Sequence, residues 1–280
     1  MESDYSSTRP GQTPMHFATR NVVIATPLLL TTLAALPVTS ARADSIATDR
    51  PDFVESSAVV GRGRLQIEMG SPYETDEEDG VEVSTSSMPT LLRYGIGYNT
   101  ELRLETDNYI RQETRTAAGT VKETGYADIA LGFKHHFLDN DGLAPSMAML
   151  GHVDVDSGSV AFRGEGLRPS LHVVAEWELS PSTSFGIKPG VIRDKADGER
   201  YWGGILGVTM GHQWTNKLRS FVEVAGQQLA SKEHGGDLIT YDAGFTYLVT
   251  DSLQFDTSVN VGATDETPDL NWGMGVSMRF

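Results

Sequence analysis

From residue 63 to the C-terminus, apolar and polar positions alternate with a period of two. That spacing places successive side chains on opposite faces of a strand. Ala127, Ile129, Leu131, Phe133, His135 and Phe137 alternate with Asp128, Ala130, Gly132, Lys134 and His136. Trp202, Leu206, Val208 and Met210 oppose Tyr201, Gly203, Ile205, Gly207 and Thr209. The last ten residues put Trp272, Met274, Val276, Met278 and Phe280 on one face and Gly273, Gly275, Ser277 and Arg279 on the other. With a weaker segment near 84–94, the pattern predicts twelve strands. An even count closes an antiparallel barrel with both ends on one side.

The connections between these segments alternate short and long. Short ones at 98–100, 138–142, 180–183, 215–217 and 250–252 carry turn-forming Asn, Asp, Ser or Pro. Long ones are expected at 72–83, 108–124, 156–167, 193–200, 229–238 and 262–271. Short periplasmic turns and long outer loops characterise a membrane barrel. A soluble β-sandwich or lipocalin-like barrel also alternates, but it turns its apolar face inward. Here the second face carries charge along nearly every strand. Tyr94, Phe137, Trp177, Trp202, Trp214 and Trp272 gather toward strand ends, as a membrane girdle requires. The expected fold is all-β: a membrane-spanning antiparallel up-and-down barrel of about 12 strands in a bacterial (Gram-negative) outer membrane. Its last strand, ending at Phe280, closes on the Leu65-Ile67-Met69 strand and is the element expected to engage the barrel-assembly machinery.

The start of the chain adds a leader. Arg20, the apolar run from Val22 to Leu36 and Ala41-Arg42-Ala43 read as a signal peptide over 1–43, with Met15 as a plausible true start. The expected layout is then a periplasmic or plug segment over 44–62 and a barrel over 63–280. Removing the leader takes away three basic and two acidic residues and changes the net charge from −16 to −17. Such a balance argues against nucleic acid as a partner. Cysteine is absent, so neither a disulfide nor thiolate chemistry is available.

After the leader come Thr48-Asp49-Arg50-Pro51-Asp52-Phe53 and then Gly63-Arg64-Leu65-Gln66-Ile67-Glu68. This opening resembles that of the bacterial family named for a meta pathway of phenol degradation. Leu91-Leu92-Arg93-Tyr94-Gly95 and Leu102-Arg103-Leu104 resemble its second hairpin. The resemblance implies an outer-membrane barrel with a transporter-like role, in uptake of aromatic or other hydrophobic compounds. The segment Ser84–Thr90, with Pro89, departs from a clean strand pattern.

Parity assigns a lumen lined by Glu68, Arg93, Arg103, Glu105, Asp128, Lys134, His152, Asp154, Glu176, Lys188, Glu223, Asp242, Asp256 and Arg279. These charges could form a polar, cation-favouring channel or interlocked ion pairs that fill a closed barrel. Asp49, Arg50, Pro51, Asp52 and Phe53 precede the first strand. They could fold into the lumen as a plug, pairing with lumenal charges, or form an ordered periplasmic cap. His152, Asp154 and Asp156 share one strand face, a spacing that could chelate a cation or support acid–base chemistry. The acidic run Glu74–Asp79 could hold calcium, though such runs are commonly just solvated. No serine has a histidine beside it on one face, so no catalytic residue, metal or cofactor is assigned. The expected function is a porin-like outer-membrane channel for passive uptake of small hydrophobic or aromatic solutes. The alternative is a structural or interaction barrel with a filled lumen, acting through its external loops; a barrel hydrolase ranks third.

Overall fold

The structure is a computed structural model that describes residues 45–229 and 236–280. The expected leader over 1–43 with its cleavage site, and most of the 229–238 connection, lie outside the described residues. The strands are β1 (Leu65–Glu78), β2 (Val81–Gly95), β3 (Thr100–Thr116), β4 (Gly119–Gly125), β5 (Ile129–Leu138), β6 (Ser146–Val155) and β7 (Arg168–Ser180). They continue as β8 (Thr183–Ala196), β9 (Glu199–Gln213), β10 (Leu218–Leu229), β11 (Leu238–Thr250), β12 (Leu253–Gly262) and β13 (Leu270–Arg279). Every pairing is antiparallel and joins neighbours in the chain, except that β3 meets both β4 and β5 and that β13 returns to β1. Positions 110–116 of β3 pair with β4, and positions 100–105 pair with β5. These two short strands therefore share one place in the wall, and the barrel has twelve staves.

Pairing of β1 with β13 closes it, from Gln66↔Arg279 to Thr75↔Leu270. The amide of Phe280 donates to Leu65 O at 2.7 Å and completes the seam. With no sheet edge left at this seam, the backbone polar groups are satisfied within the wall, as lipid demands.

The faces sort as the alternation requires. Leu131, Phe133, Val222, Phe245, Phe255 and Met274 stand exposed on the outside, while Arg93, Glu101 and Lys134 are fully buried inside. Three of the expected outer loops prove to be strand. β1 runs out to Glu78 and returns at Val81, so 72–83 is a hairpin whose turn is Asp79-Gly80 (φ 50° and 78°). At 193–200 the turn is Asp197-Gly198 (φ 51° and 82°). Paired positive φ values match the turn that follows the twist of a tight hairpin, and Asp-Gly adopts it readily. The 108–124 stretch is likewise the hairpin of β3 and β4. The weak second strand is a full one over 81–95, with its register shifted between Ser87 and Pro89, where proline offers no N–H to the ladder.

Candidate functional site

Residues 45–64 form no strand or helix, yet they cross the interior of the barrel. A buried irregular segment must find partners for its N–H groups. Carboxylates on four different strands supply them. Glu68 accepts from the amides of Asp49 and Arg50, both at 3.0 Å. Glu223 accepts from Phe53 and Val54 at 2.6 and 2.7 Å. Glu176 takes the amide of Ser57 at 2.6 Å, and Glu101 that of Val60 at 2.9 Å. The segment is thus tied to β1, β10, β7 and β3 in turn.

Its side chains are held as specifically. Asp49 meets Lys134 at 2.7 Å, Arg93 at 3.4 Å and the guanidinium of Arg103. Burial alone would push the Asp49 carboxyl up, but Arg93, Lys134 and Arg103 together hold it well below the usual range. Glu55 is also lowered: Lys188 and Arg103 outweigh its desolvation. Arg50 turns the other way around the wall, toward β12, 3.2 Å from Asp256. There Gly70 and Gly275 face each other in register, and a Cβ on either would come within 2.6 Å of the Arg50 side chain. The paired glycines make the seat for its guanidinium. Pro51 follows, and Asp52 pairs with Arg219 at 2.9 Å. The ring of Phe53 lies under the Lys188 ammonium, 3.8 Å from its centroid. Val54 packs on Ala148, Leu150 and Val174, an apolar patch on the inner wall of β6 and β7.

On β1–β5 the inward cations are interleaved with Glu68, Glu101 and Glu105, whereas the inward charges of β11 and β12 are carboxylates. Arg93, Arg103 and Lys134 stand on β2, β3 and β5; Glu223, Asp242 and Asp256 stand on β10, β11 and β12. Asp49 faces the first group and Arg50 reaches the second. Arg93 bonds Glu101 at 2.8 Å and Glu68 at 2.9 Å, all three fully buried. Two cavities lie on either side of the segment, of about 440 Å³ toward the outside and about 450 Å³ toward the periplasm. Asp49, Arg50 and Asp52 border both. Phe53, Pro89, Leu91, Ala130 and Phe162 give the outer cavity apolar walls beside charged ones.

The remaining assigned residues take separate places. His152 accepts from Arg103 Nε at 3.0 Å and lies 3.1 Å from Glu105. Asp154 borders the outer cavity, whereas Asp156 turns to Arg163 at 3.6 Å. These three do not converge, and no three His, Asp or Glu side chains meet as a metal would require among the described residues. Asp128 anchors the 156–167 loop: it accepts from the amides of Ser157, Gly158 and Gly164 and pairs with Arg168 at 2.8 Å. That loop sets Ala161 and Phe162 against Ile110. Arg279 sits at the periplasmic mouth, donating to the carbonyl of Asp251 at 3.2 Å. Sequence parity could not find the glycine seat or the Val54 patch, because both depend on which strands lie side by side. Inward glycines and the apolar Ala148, Leu150 and Val174 on a polar face were the available signals.

The sequence profile of the family described as "Putative MetA-pathway of phenol degradation" matches residues 48–280. The chain belongs to that family. A crystal structure of an outer membrane channel from Pseudomonas putida F1 is similar in fold, with a TM-score of 0.59 at 11% identity, covering 82% of this chain and 99% of that one. The KdgM porin, solved with disordered oligogalacturonate, gives a TM-score of 0.50 at 9% identity over 77% of this chain and 99% of its own. A comparison with curated proteins found no significant relative. Family and fold together make this chain a β-barrel of the bacterial outer membrane.

Proposed function

We propose that the barrel is a passive channel for small hydrophobic or aromatic compounds, with the segment over 44–62 as a plug and 63–280 as the transporting barrel. The carrying observation is the outer cavity of about 440 Å³, which is roomy for one substituted aromatic ring. Phe53, Leu91 and Phe162 offer it ring and methyl contacts, while Glu105, Asp107 and Lys188 can take a phenolic hydroxyl. Asp49, Arg50 and Asp52 form the septum between this vestibule and the periplasmic cavity. Passage then requires the Arg50–Asp256 and Asp52–Arg219 ties to yield. Those two pairs are the more exposed ones, with Arg50 at 22% and Arg219 at 28%, against 0% for Arg93. The side of the septum facing β10–β12 is therefore the movable one. The barrel contacts outer-membrane lipid through its apolar face, and β13 is the strand for the assembly machinery to engage.

Liposome swelling and single-channel conductance test the reading. Phenolic solutes should permeate, and deleting residues 45–60 should raise conductance while the barrel still migrates as a folded species. Absence of permeation by any solute, with or without the segment, would favour the second reading. That reading is a filled barrel acting through its external loops, and the buried Arg93–Glu68–Glu101 lattice is what supports it.

A further inference from the structure

We infer that the outer face of the β8–β9 hairpin binds the phosphorylated headgroup of an outer-leaflet glycolipid. On β9 the outward residues Leu206, Val208 and Met210 lie between Trp202 and Trp214, which are 62% and 61% exposed. The two tryptophans are twelve positions apart. At roughly 3.3 Å per residue and a tilt of about 40°, that is a rise of about 30 Å. The pair thus brackets an apolar band with its interfaces. Trp202 marks the outer interface, where indole rings settle.

At the level of Trp202 and just above it, three cations point outward. Arg193 is directly opposite Trp202, with its guanidinium carbon 5.6 Å from the ring centroid, and Lys195 is directly opposite Arg200. Like charges in directly opposed positions destabilise a sheet unless an anion lies between them. Among the described residues, the one carboxylate within ion-pair distance of these three is Glu165, 3.2 Å from Lys195. Arg200 donates to the carbonyl of Leu167 at 2.8 Å, and neither it nor Arg193 has an ion pair among the described residues. In a chain of net charge −16, three outward cations with one carboxylate in reach stand apart. In the other outward basic group, Arg111, Arg115 and Lys122 are each already paired with Glu113 or Glu82, at 2.5 to 2.8 Å.

A phosphate monoester carries about −1.5 to −2 charge and three acceptor oxygens, which suits two guanidinium forks and an ammonium. Below it, Leu171 and Val191 are directly paired and each 46% exposed, with Leu206 equally exposed on the next strand. Acyl chains can lie along this surface while the sugar-phosphate head meets the cations. A soluble phosphate would use the cations but not this apolar track, so the shared continuity of both favours the lipid.

The test uses the full protein purified from outer membranes in mild detergent. Native mass spectrometry should find lipopolysaccharide retained by the wild type and lost from the triple variant Arg193→Ala, Lys195→Ala, Arg200→Ala. Titration of delipidated protein with purified lipopolysaccharide should show affinity reduced about tenfold or more in the triple variant, which is at least 1.4 kcal/mol. Dephosphorylated lipopolysaccharide should bind the wild type as weakly. The variant Arg111→Ala, Arg115→Ala serves as the comparison and should bind like the wild type. Since all substituted side chains face outward, heat-modifiable migration should be unchanged. Equal binding by wild type and triple variant would overturn the inference. So would equal loss in the comparison variant, or inorganic phosphate binding as tightly as the lipid.

Discussion

Arg50 lies against the wall because two neighbouring strands both present glycine at that height. In the Gly275→Ala variant the new Cβ would stand 2.6 Å from Arg50 Nε and from both Asp256 oxygens. The side chain is free to move and the strand is not, so Arg50 should leave its seat. We expect higher single-channel conductance with unchanged barrel migration; unaltered conductance would separate Arg50 from the septum. Asp49 presents the opposite case. It is the one carboxylate within ion-pair distance of the fully buried Lys134 among the described residues. Asp49→Ala strands that ammonium, a loss of about 3–5 kcal/mol, measurable by denaturant unfolding in bilayers. Adding Lys134→Met should recover much of it, since removing both charges relieves the unpaired one. The pH response follows from the lowered Asp49 carboxyl. A carboxylate depressed by folding contributes stability that is complete above its unfolded pKa of about 4 and is lost only as pH falls through the folded value. Asp49 should therefore stay ionised from neutral pH down to about 4, read from its carboxylate stretch in isotope-edited infrared difference spectra. A protonated carboxyl already between pH 7 and 5 would mean that Arg93, Lys134 and Arg103 do not hold it.

At the scale of elements, Asp128 fastens the 156–167 loop through three backbone amides and Arg168. Asp128→Ala leaves those donors without their acceptor, at about 1–3 kcal/mol for a buried one. The loop should then become cleavable by trypsin at Arg163 while the barrel persists; an equally resistant loop would show that Phe162 packing suffices. The same region shows what the sequence could convey. β5, β9 and β13 were legible because lipid forces apolar residues outward on every turn of the pleat. Beyond the membrane that pressure ends. The hairpins around Asp79-Gly80 and Asp197-Gly198 have polar residues on both faces and read as loops, although each Asp-Gly was the turn signal. The break at 126–128 escaped because Ala127 and Asp128 fit the alternation. Inward charges were legible one at a time through parity. Their partners were not, because parity gives a face and not the segment lying across from it.

Across the whole molecule, the arrangement inverts that of a water-soluble protein: the core is built from buried charges, and large apolar side chains stand exposed on the outside. Trp202 of β9 and Trp214, one residue past its end, set the scale for testing this. Val208 lies midway between Trp202 and Trp214, and it is directly paired with Val224 of β10. If that face meets hydrocarbon, a cation there has no water and no lumenal carboxylate to meet. Val208→Arg should destabilise the folded barrel by about 2–4 kcal/mol, while Trp214→Arg at the rim should cost only about 0–1 kcal/mol from charge placement. Unfolding in lipid bilayers measures both. In detergent, where the apolar layer adapts around the new charge, the difference should shrink. A cation tolerated equally at positions 208 and 214 in bilayers would mean that the apolar face of β9 is not turned to lipid. The outward-pointing tryptophan above it could then no longer mark the membrane boundary on which the β8–β9 glycolipid site depends.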